Sequence, residues 1–241
     1  MMNWISPDWP APANIHALTT LRTGGVSIGD YHSFNLAEHV GDKLEHVAIN
    51  RKRLREQFSL SHEPSWLNQT HSSDIVCADQ LKGLVDADAS YTEKEQCVCV
   101  VLTADCLPIL LCDTQGKVIA AIHGGWRGLL NGIIENSIAK LPNTELMAWL
   151  GPAIGPQCFE VGGEVKHAFV NKGAMFSEAF ILQKNNKYLA DIYCLARLIL
   201  NKAGVEQVYG GDFCTVTEAE RYFSYRREGK TGRLATLIWK A

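Results

Sequence analysis

An α+β fold is predicted by three features of the sequence. Short, continuous apolar runs that read as strands crowd the middle of the chain. Segments with apolar residues at helical spacing stand before and after them. The two kinds are mixed without the steady strand–helix beat of a doubly wound parallel sheet. The 241 residues contain no internal repeat, low-complexity tract or linker, so residues 1–241 are read as one domain.

Taken in order, Ile15 to Arg22 alternates enough for a strand and breaks at the turn Thr23-Gly24-Gly25. From about Lys43 to Phe58, Leu44, Val47, Ala48, Leu54 and Phe58 recur among charges, which predicts an amphipathic helix. Cys97 to Thr103 and Lys117 to Ile122 are continuous and apolar, as expected of strands buried on both faces. Between them Pro108 to Asp113 reads as a strand ending at the turn Asp113-Thr114-Gln115-Gly116. Leu129 to Leu141 has helical spacing and is closed by Pro142. Met147 to Leu150 is a strand cut off by Gly151-Pro152. Helices are expected at Gly163 to Asn171 and Asp191 to Ala203, and strands at Val205 to Tyr209 and Leu234 to Trp239.

Composition narrows the function classes. Charged residues are 20% of the chain and the net charge is −3, so no broad basic face is demanded and nucleic acid is not an expected partner. Arg51-Lys52-Arg53 reads as the solvated face of a helix. No run approaches the ~20 apolar residues of a membrane span. Residues Met1 to Pro10 lack a basic start followed by an apolar run, so no export signal is read and a cytoplasmic location is expected. In a reducing compartment most of the eight cysteines are expected to be packed thiols rather than disulfides.

Three segments offer metal-capable side chains at a strand end or in a polar loop: Asn68 to Asp74 with His71, Thr103 to Pro108 with Cys106, and Ile122 to Gly128 with His123. If the strands from 97 and 117 are neighbours, Cys106 and His123 fall in one region of the sheet. Imidazole and thiolate suit zinc or copper rather than magnesium or calcium, and three protein ligands leave a position open for water or substrate. The spacing has no compact CxxC or HExxH, and a packed core residue is the ordinary fate of a lone His or Cys. After His123, Gly124, Gly125 and Gly128 form a turn into a helix where an anion can approach backbone N–H groups, with Arg127 as a fixed cation. A tight turn packed over Trp126 explains the same residues. Further polar loops hold Arg22, Asn35 and Arg226, the last able to pair with a carboxylate or phosphate. Asp105 and Glu160 are acid–base candidates.

These motifs together resemble the YfiH family, bacterial relatives of laccase-domain proteins. The resemblance covers essentially the whole chain. It runs through Arg22-Thr23-Gly24-Gly25-Val26-Ser27, Gln69-Thr70-His71, Thr103-Ala104-Asp105-Cys106-Leu107-Pro108 and His123-Gly124-Gly125-Trp126-Arg127-Gly128. It continues in Gly151-Pro152-Ala153-Ile154, Phe159-Glu160-Val161 and Phe223-Ser224-Tyr225-Arg226-Arg227. Gly124 stands where the family usually has Ala, which is expected to loosen the turn, and Phe159 where it often has Tyr.

The resemblance implies an αββα sandwich and a zinc on His71, Cys106 and His123. It also implies phosphorolysis of adenosine, inosine and methylthioadenosine, with adenosine deamination. Polyphenol oxidation and editing of peptidoglycan precursors are attributed to some relatives. The chain's eight His include no His-x-His pair, so a four-copper laccase is not expected, although copper can replace zinc at one site. A metal that acidifies water suits deamination. An anion site at Gly125 and Arg127, with Arg22, Asn35 and Arg226 as further substrate or phosphate contacts, suits phosphorolysis. The catalytic set is then His71, Cys106, His123 and Arg127. A cysteine hydrolase with Cys106 as nucleophile activated by His123 or His71 is a different class, and a non-enzymatic binding module a third. Expected partners are a nucleoside and phosphate, with no membrane, and a homodimer as an allowed assembly.

Overall fold

A computed structural model describes residues 4–241. Met1 to Asn3, which open the segment read for an export signal, lie outside the described residues. The first sheet has four strands in the order β1 (Trp4–Ile5), β2 (Ile15–Thr20), β13 (Leu234–Lys240) and β5 (Val98–Thr103), all antiparallel. The second has six, in the order β12 (Gln207–Gly210), β8 (Leu146–Leu150), β6 (Leu107–Asp113), β7 (Ile119–Gly124), β4 (Ala89–Thr92) and β3 (Ile75–Cys77). It is mixed, since β12 runs parallel to β8 and β3 parallel to β4. A small third sheet orders β10 (Phe180–Leu182), β11 (Lys187–Ala190) and β9 (Glu160–Gly162). The helices are α1 (Leu44–Gln57), α2 (Trp126–Asn131), α3 (Ile133–Lys140), α4 (Gly163–Lys172), α5 (Ile192–Lys202) and α6 (Tyr225–Glu228).

Strand periodicity explains the layering. On β5, Val98, Val100 and Leu102 pack with Leu54 of α1, while Cys99 and Val101 face the second sheet. On β6, Leu110 and Cys112 face inward to the first sheet, while Leu107, Ile109 and Leu111 pack against α2 to α5. The middle strands therefore bury both faces, which is why they read as continuous apolar runs. Helix, sheet, sheet and helix follow one another, the αββα sandwich that the family resemblance implies. No helix among the described residues is long and apolar enough to cross a membrane.

Two expectations are corrected. The helix read from Leu129 to Leu141 is two helices, because Gly132 takes the left-handed conformation (φ 94°) and ends α2 before α3 begins. The strands from 97 and 117 are not neighbours in one sheet. β5 pairs with β13 and β7 pairs with β6 and β4, so β5 and β7 lie across the sandwich from each other. The strands β3, β4 and β9 to β11 went unread because each is only three or four residues long.

Candidate metal centre and substrate cavity

What brings Cys106 to His123 is the pairing of β6 with β7, which sets Leu107 opposite Gly124 and Pro108 opposite His123. Cys106 immediately precedes β6, in the crossing from the first sheet to the second. Asp105 shapes that crossing at φ 93°, costly for a residue with a Cβ. Its carboxylate accepts bonds from Thr215 Oγ1 and from the amide of Arg226, both at 2.6 Å. Its carbonyl accepts from Ile154 N at 2.9 Å. Asp105 is thus spent on holding the Cys106 turn, and the exposed Glu160 lies outside the cavity wall.

His71 is held in a loop, also at positive φ (61°). The amides of Thr70, His71 and Ser72 donate to the Asp88 carboxylate at 3.2, 3.0 and 2.6 Å, and Ser72 Oγ donates at 2.8 Å. Asp88 is fully buried and also accepts from His123 Nδ1 at 2.7 Å. Because the carboxylate can only accept, Nδ1 carries a proton, which turns Nε2 of His123 toward the cluster. One buried carboxylate therefore orients two proposed ligands, and the sequence reading missed it. An acid just before a short β-rich segment was the signal available, and such residues are common.

The donor atoms of His71, Cys106 and His123 lie within 4.8 Å of one another, and Cys106 Sγ is 3.7 Å from His71 Nε2. Ligand bonds of about 2.0 Å to nitrogen and 2.3 Å to sulfur put tetrahedral N and S roughly 3.5 Å apart. The geometry fits a single ion, and the two imidazoles and thiolate suit zinc or copper. Gly125 permits the cluster: a Cβ there would stand 2.7 Å from His71 Cδ2 and 3.4 Å from Cys106 Sγ.

Electrostatics favour the ligating form of the thiol. Burial pushes Cys106 up, but the charge and hydrogen bond of His123, with His71, pull it down further. Burial likewise lowers His123, and Cys106 and Asp88 together raise it. Burial opposes ionisation of Asp88 too, yet its bonds to His123 and Ser72 bring the carboxyl down to about 2.

The triad opens into a cavity of about 540 Å³, lined in part by Trp126, Arg127, Phe159, Tyr225, Arg226 and Arg233. Arg127 is exposed, stacks 4.4 Å from the Trp126 ring centroid, and makes no ion pair among the described residues. Arg226 lies 5.6 Å from the Phe159 centroid and donates to the carbonyls of Cys158 and Glu160.

Two other residues read as substrate contacts lie away from the cavity. The Arg22 guanidinium binds Glu228 at 2.9 Å and the carbonyl of Ala219 at 2.9 Å. Asn35 is fully buried, accepts from the amides of Ala37 and Arg233, and donates to Asp42. The two polar loops thus brace the segment that carries Arg226 and Arg233. Gly124 does not loosen its turn as expected: a Cβ there would meet the Leu107 carbonyl oxygen at 2.9 Å, so the glycine lets β6 and β7 close up. Arg233 was not singled out in the sequence.

A family model described as multi-copper polyphenol oxidoreductase laccase matches residues 16–241. The chain is 49% identical to the purine nucleoside phosphorylase YfiH of Escherichia coli (strain K12), over 99% of both chains. It is 45% identical to a purine nucleoside phosphorylase of Haemophilus influenzae, again over 99% of each. The crystal structure of Neisseria meningitidis protein NMB0706 superposes with a TM-score of 0.95 at 50% identity, covering 99% of each chain. That of Bacillus licheniformis YfiH gives 0.89 at 27% identity, covering 94% of this chain and 93% of that one. With the motifs, the fold and these likenesses in agreement, the chain belongs to the YfiH family of laccase-domain proteins.

Proposed function

We propose that the protein is a zinc-dependent purine nucleoside phosphorylase acting on adenosine, inosine and methylthioadenosine, with adenosine deamination as a second activity. The observation that carries the reading is the cavity itself, which places a free Arg127 and several aromatic rings around a His71, Cys106 and His123 cluster. The printed names of the Escherichia coli and Haemophilus influenzae relatives support it.

In phosphorolysis a phosphate oxygen forms a bond to the anomeric carbon as the bond from that carbon to the purine nitrogen breaks. Arg127 holds the phosphate, its guanidinium kept from collapsing onto a carboxylate by stacking on Trp126. Phe159 and Tyr225 offer ring faces to the purine. Asp88 keeps His71 and His123 aimed at one point. His71, Cys106 and His123 would hold the ion, whose chemistry when bound would be that of a Lewis acid, of use in either reaction.

A second reading has one specific observation behind it. Cys106 Sγ lies within 4.8 Å of a ring nitrogen of His123, whose Nδ1 is bonded to Asp88 at 2.7 Å, the order of a cysteine nucleophile, base and orienting acid. A cysteine hydrolase is therefore the alternative. Copper at the same site, as in polyphenol oxidation, is less supported: this is the one His/Cys/Asp/Glu cluster with metal-binding geometry among the described residues.

A product assay on adenosine with and without phosphate, using metal-quantified protein, separates these readings. Adenine and ribose 1-phosphate mean phosphorolysis, and inosine means deamination. Metal-free protein that remains active and is trapped as a covalent adduct at Cys106 means the hydrolase. Arg127→Ala is expected to lower phosphate-dependent turnover by ~10²-fold, the scale of losing one charge-stabilising donor. Wild-type turnover in that variant would remove Arg127 from the mechanism.

A further inference from the structure

Arg233 is electrostatically anomalous. Its side chain is half-buried in the cavity wall, and burial pulls its pKa down, though the nearby Cys106 and Asp105 oppose this. A guanidinium stays charged regardless. Its hydrogen bonds run from Nη1 to the carbonyls of Thr231 and Gly232, at 2.9 and 3.0 Å. Among the described residues no carboxylate pairs with it, and Nε and Nη2 have no acceptor. Arg22 and Arg227, also partly buried, share Glu228, and Arg51 binds Glu38; Arg197 takes backbone carbonyls alone, but from both of its Nη atoms.

The charge balance of the cavity extends the point. Arg127, Arg226 and Arg233 line it, against the single carboxylate of Asp105, both of whose oxygens already accept bonds. Inorganic phosphate brings a charge of about −1.5 to −2 near neutrality, by analogy with a phosphate ester. Bound at the free Arg127, it leaves the Nε and Nη2 fork of Arg233 without an acceptor. That unused fork faces the cavity rather than a protein acceptor, so an anionic group on a ligand is the partner it fits. The fork of Nε and Nη2 matches two phosphate oxygens.

We propose that Arg233 is a second anion site and that the cavity takes purine nucleoside monophosphates, the ester phosphate lying on Arg233. This rests on the nucleoside reading above for the purine, and on Arg233 alone for the phosphate.

The test is isothermal titration of zinc-loaded protein with adenosine and with adenosine 5′-monophosphate, in phosphate-free buffer. The wild type is expected to bind the monophosphate about tenfold tighter or more. In Arg233→Met the ratio of the two affinities falls to about one, and Arg233→Lys, which keeps the charge but not the fork, restores part of it. Near-ultraviolet circular dichroism checks that both variants are folded; should Met disrupt the fold, Lys against wild type still reads the ratio. Equal affinities in the wild type, or a preference that survives in Arg233→Met, overturn the proposal. If adenosine is phosphorolysed but the monophosphate binds no tighter, the anion site alone fails. If the monophosphate binds through Arg233 while no nucleoside is turned over, the activity alone fails. If neither ligand binds, both fall.

Discussion

Asp88 contributes no atom to the His71, Cys106 and His123 cluster, yet the cluster depends on it. Three backbone amides and a hydroxyl of the His71 loop converge on its carboxylate, and the His123 ring donates to it from Nδ1, sharing Oδ1 with the His71 amide. Outer groups of this kind commonly change metal affinity by about 10–100-fold. Asp88→Asn is expected to weaken zinc binding by that order, read by competition against a chromophoric chelator. Unchanged affinity would leave Asp88 a fold residue only. Gly125 works by absence. Its missing Cβ leaves the space that His71 Cδ2 and Cys106 Sγ occupy, so Gly125→Ala must displace the His71 ring. The variant is expected to fold, to bind zinc at least tenfold more weakly and to show perturbed cobalt-substituted absorption, on the scale of a disturbed ligand shell. The residue types of the triad were legible in the sequence because His and Cys at strand ends are conspicuous. Asp88 and Arg233 were not, because an Asp or Arg acquires its meaning from what it is, or is not, paired with.

At the scale of elements, the second sheet is extended at its β3 edge by a side-chain link. Asp79, just after β3, accepts from the Cys77 thiol at 3.0 Å and from Thr92 Oγ1 of β4 at 3.1 Å, and pairs with Lys94 Nζ at 2.7 Å. The Cys77 and Lys94 contacts, with Thr92, hold its carboxyl down to about 2. A folded-state pKa below the unfolded value means the stabilisation is full above the ordinary carboxylate range and lost as pH falls from about 4 through 2. Asp79→Asn is therefore expected to be less stable than wild type at about pH 6 in urea unfolding, with the gap narrowing steadily as pH is lowered from about 4 toward 2. A gap that stays constant over that range would show that the charge of Asp79 does no work. The α2 and α3 pair shows the limit of periodicity at this scale. The apolar spacing runs through Gly132, but a glycine at φ 94° ends one helix and turns the chain into the next. The six residues of α2 give Arg127 a short platform, so the cation's value to an anion lies in its guanidinium more than in a helix dipole.

Across the whole molecule, stability rests on the layer between the two sheets. Trp149 is fully buried there among Cys99, Val101, Leu110 and Ile238, with Nε1 donating to Asp8 at 3.2 Å. Trp149→Ala is expected to cost about 3–5 kcal/mol in urea unfolding, the range for emptying a large aromatic site in a close-packed core. A cost under about 1 kcal/mol would mean that the sheets close over the gap. The same layer positions the chemistry, since the chain crosses from β5 of one sheet to β6 of the other through Asp105 and Cys106.

By itself the sequence determined the α+β class, the strands buried on both faces and the residue types of the metal cluster, and the family motifs added the sandwich. Those properties are carried by neighbours in the chain, as apolar period, turn residues and short motifs. Only the tertiary structure decided that β5 and β7 belong to different sheets, that Asp88 joins His71 to His123, and that Arg22 is neutralised while Arg233 is not. Each of those depends on groups far apart in sequence, such as Asp88 and His123, 35 positions apart, or Arg22 and Glu228, 206 apart. Local hydrophobic period carries no information on which distant carboxylate, if any, a buried charge will find.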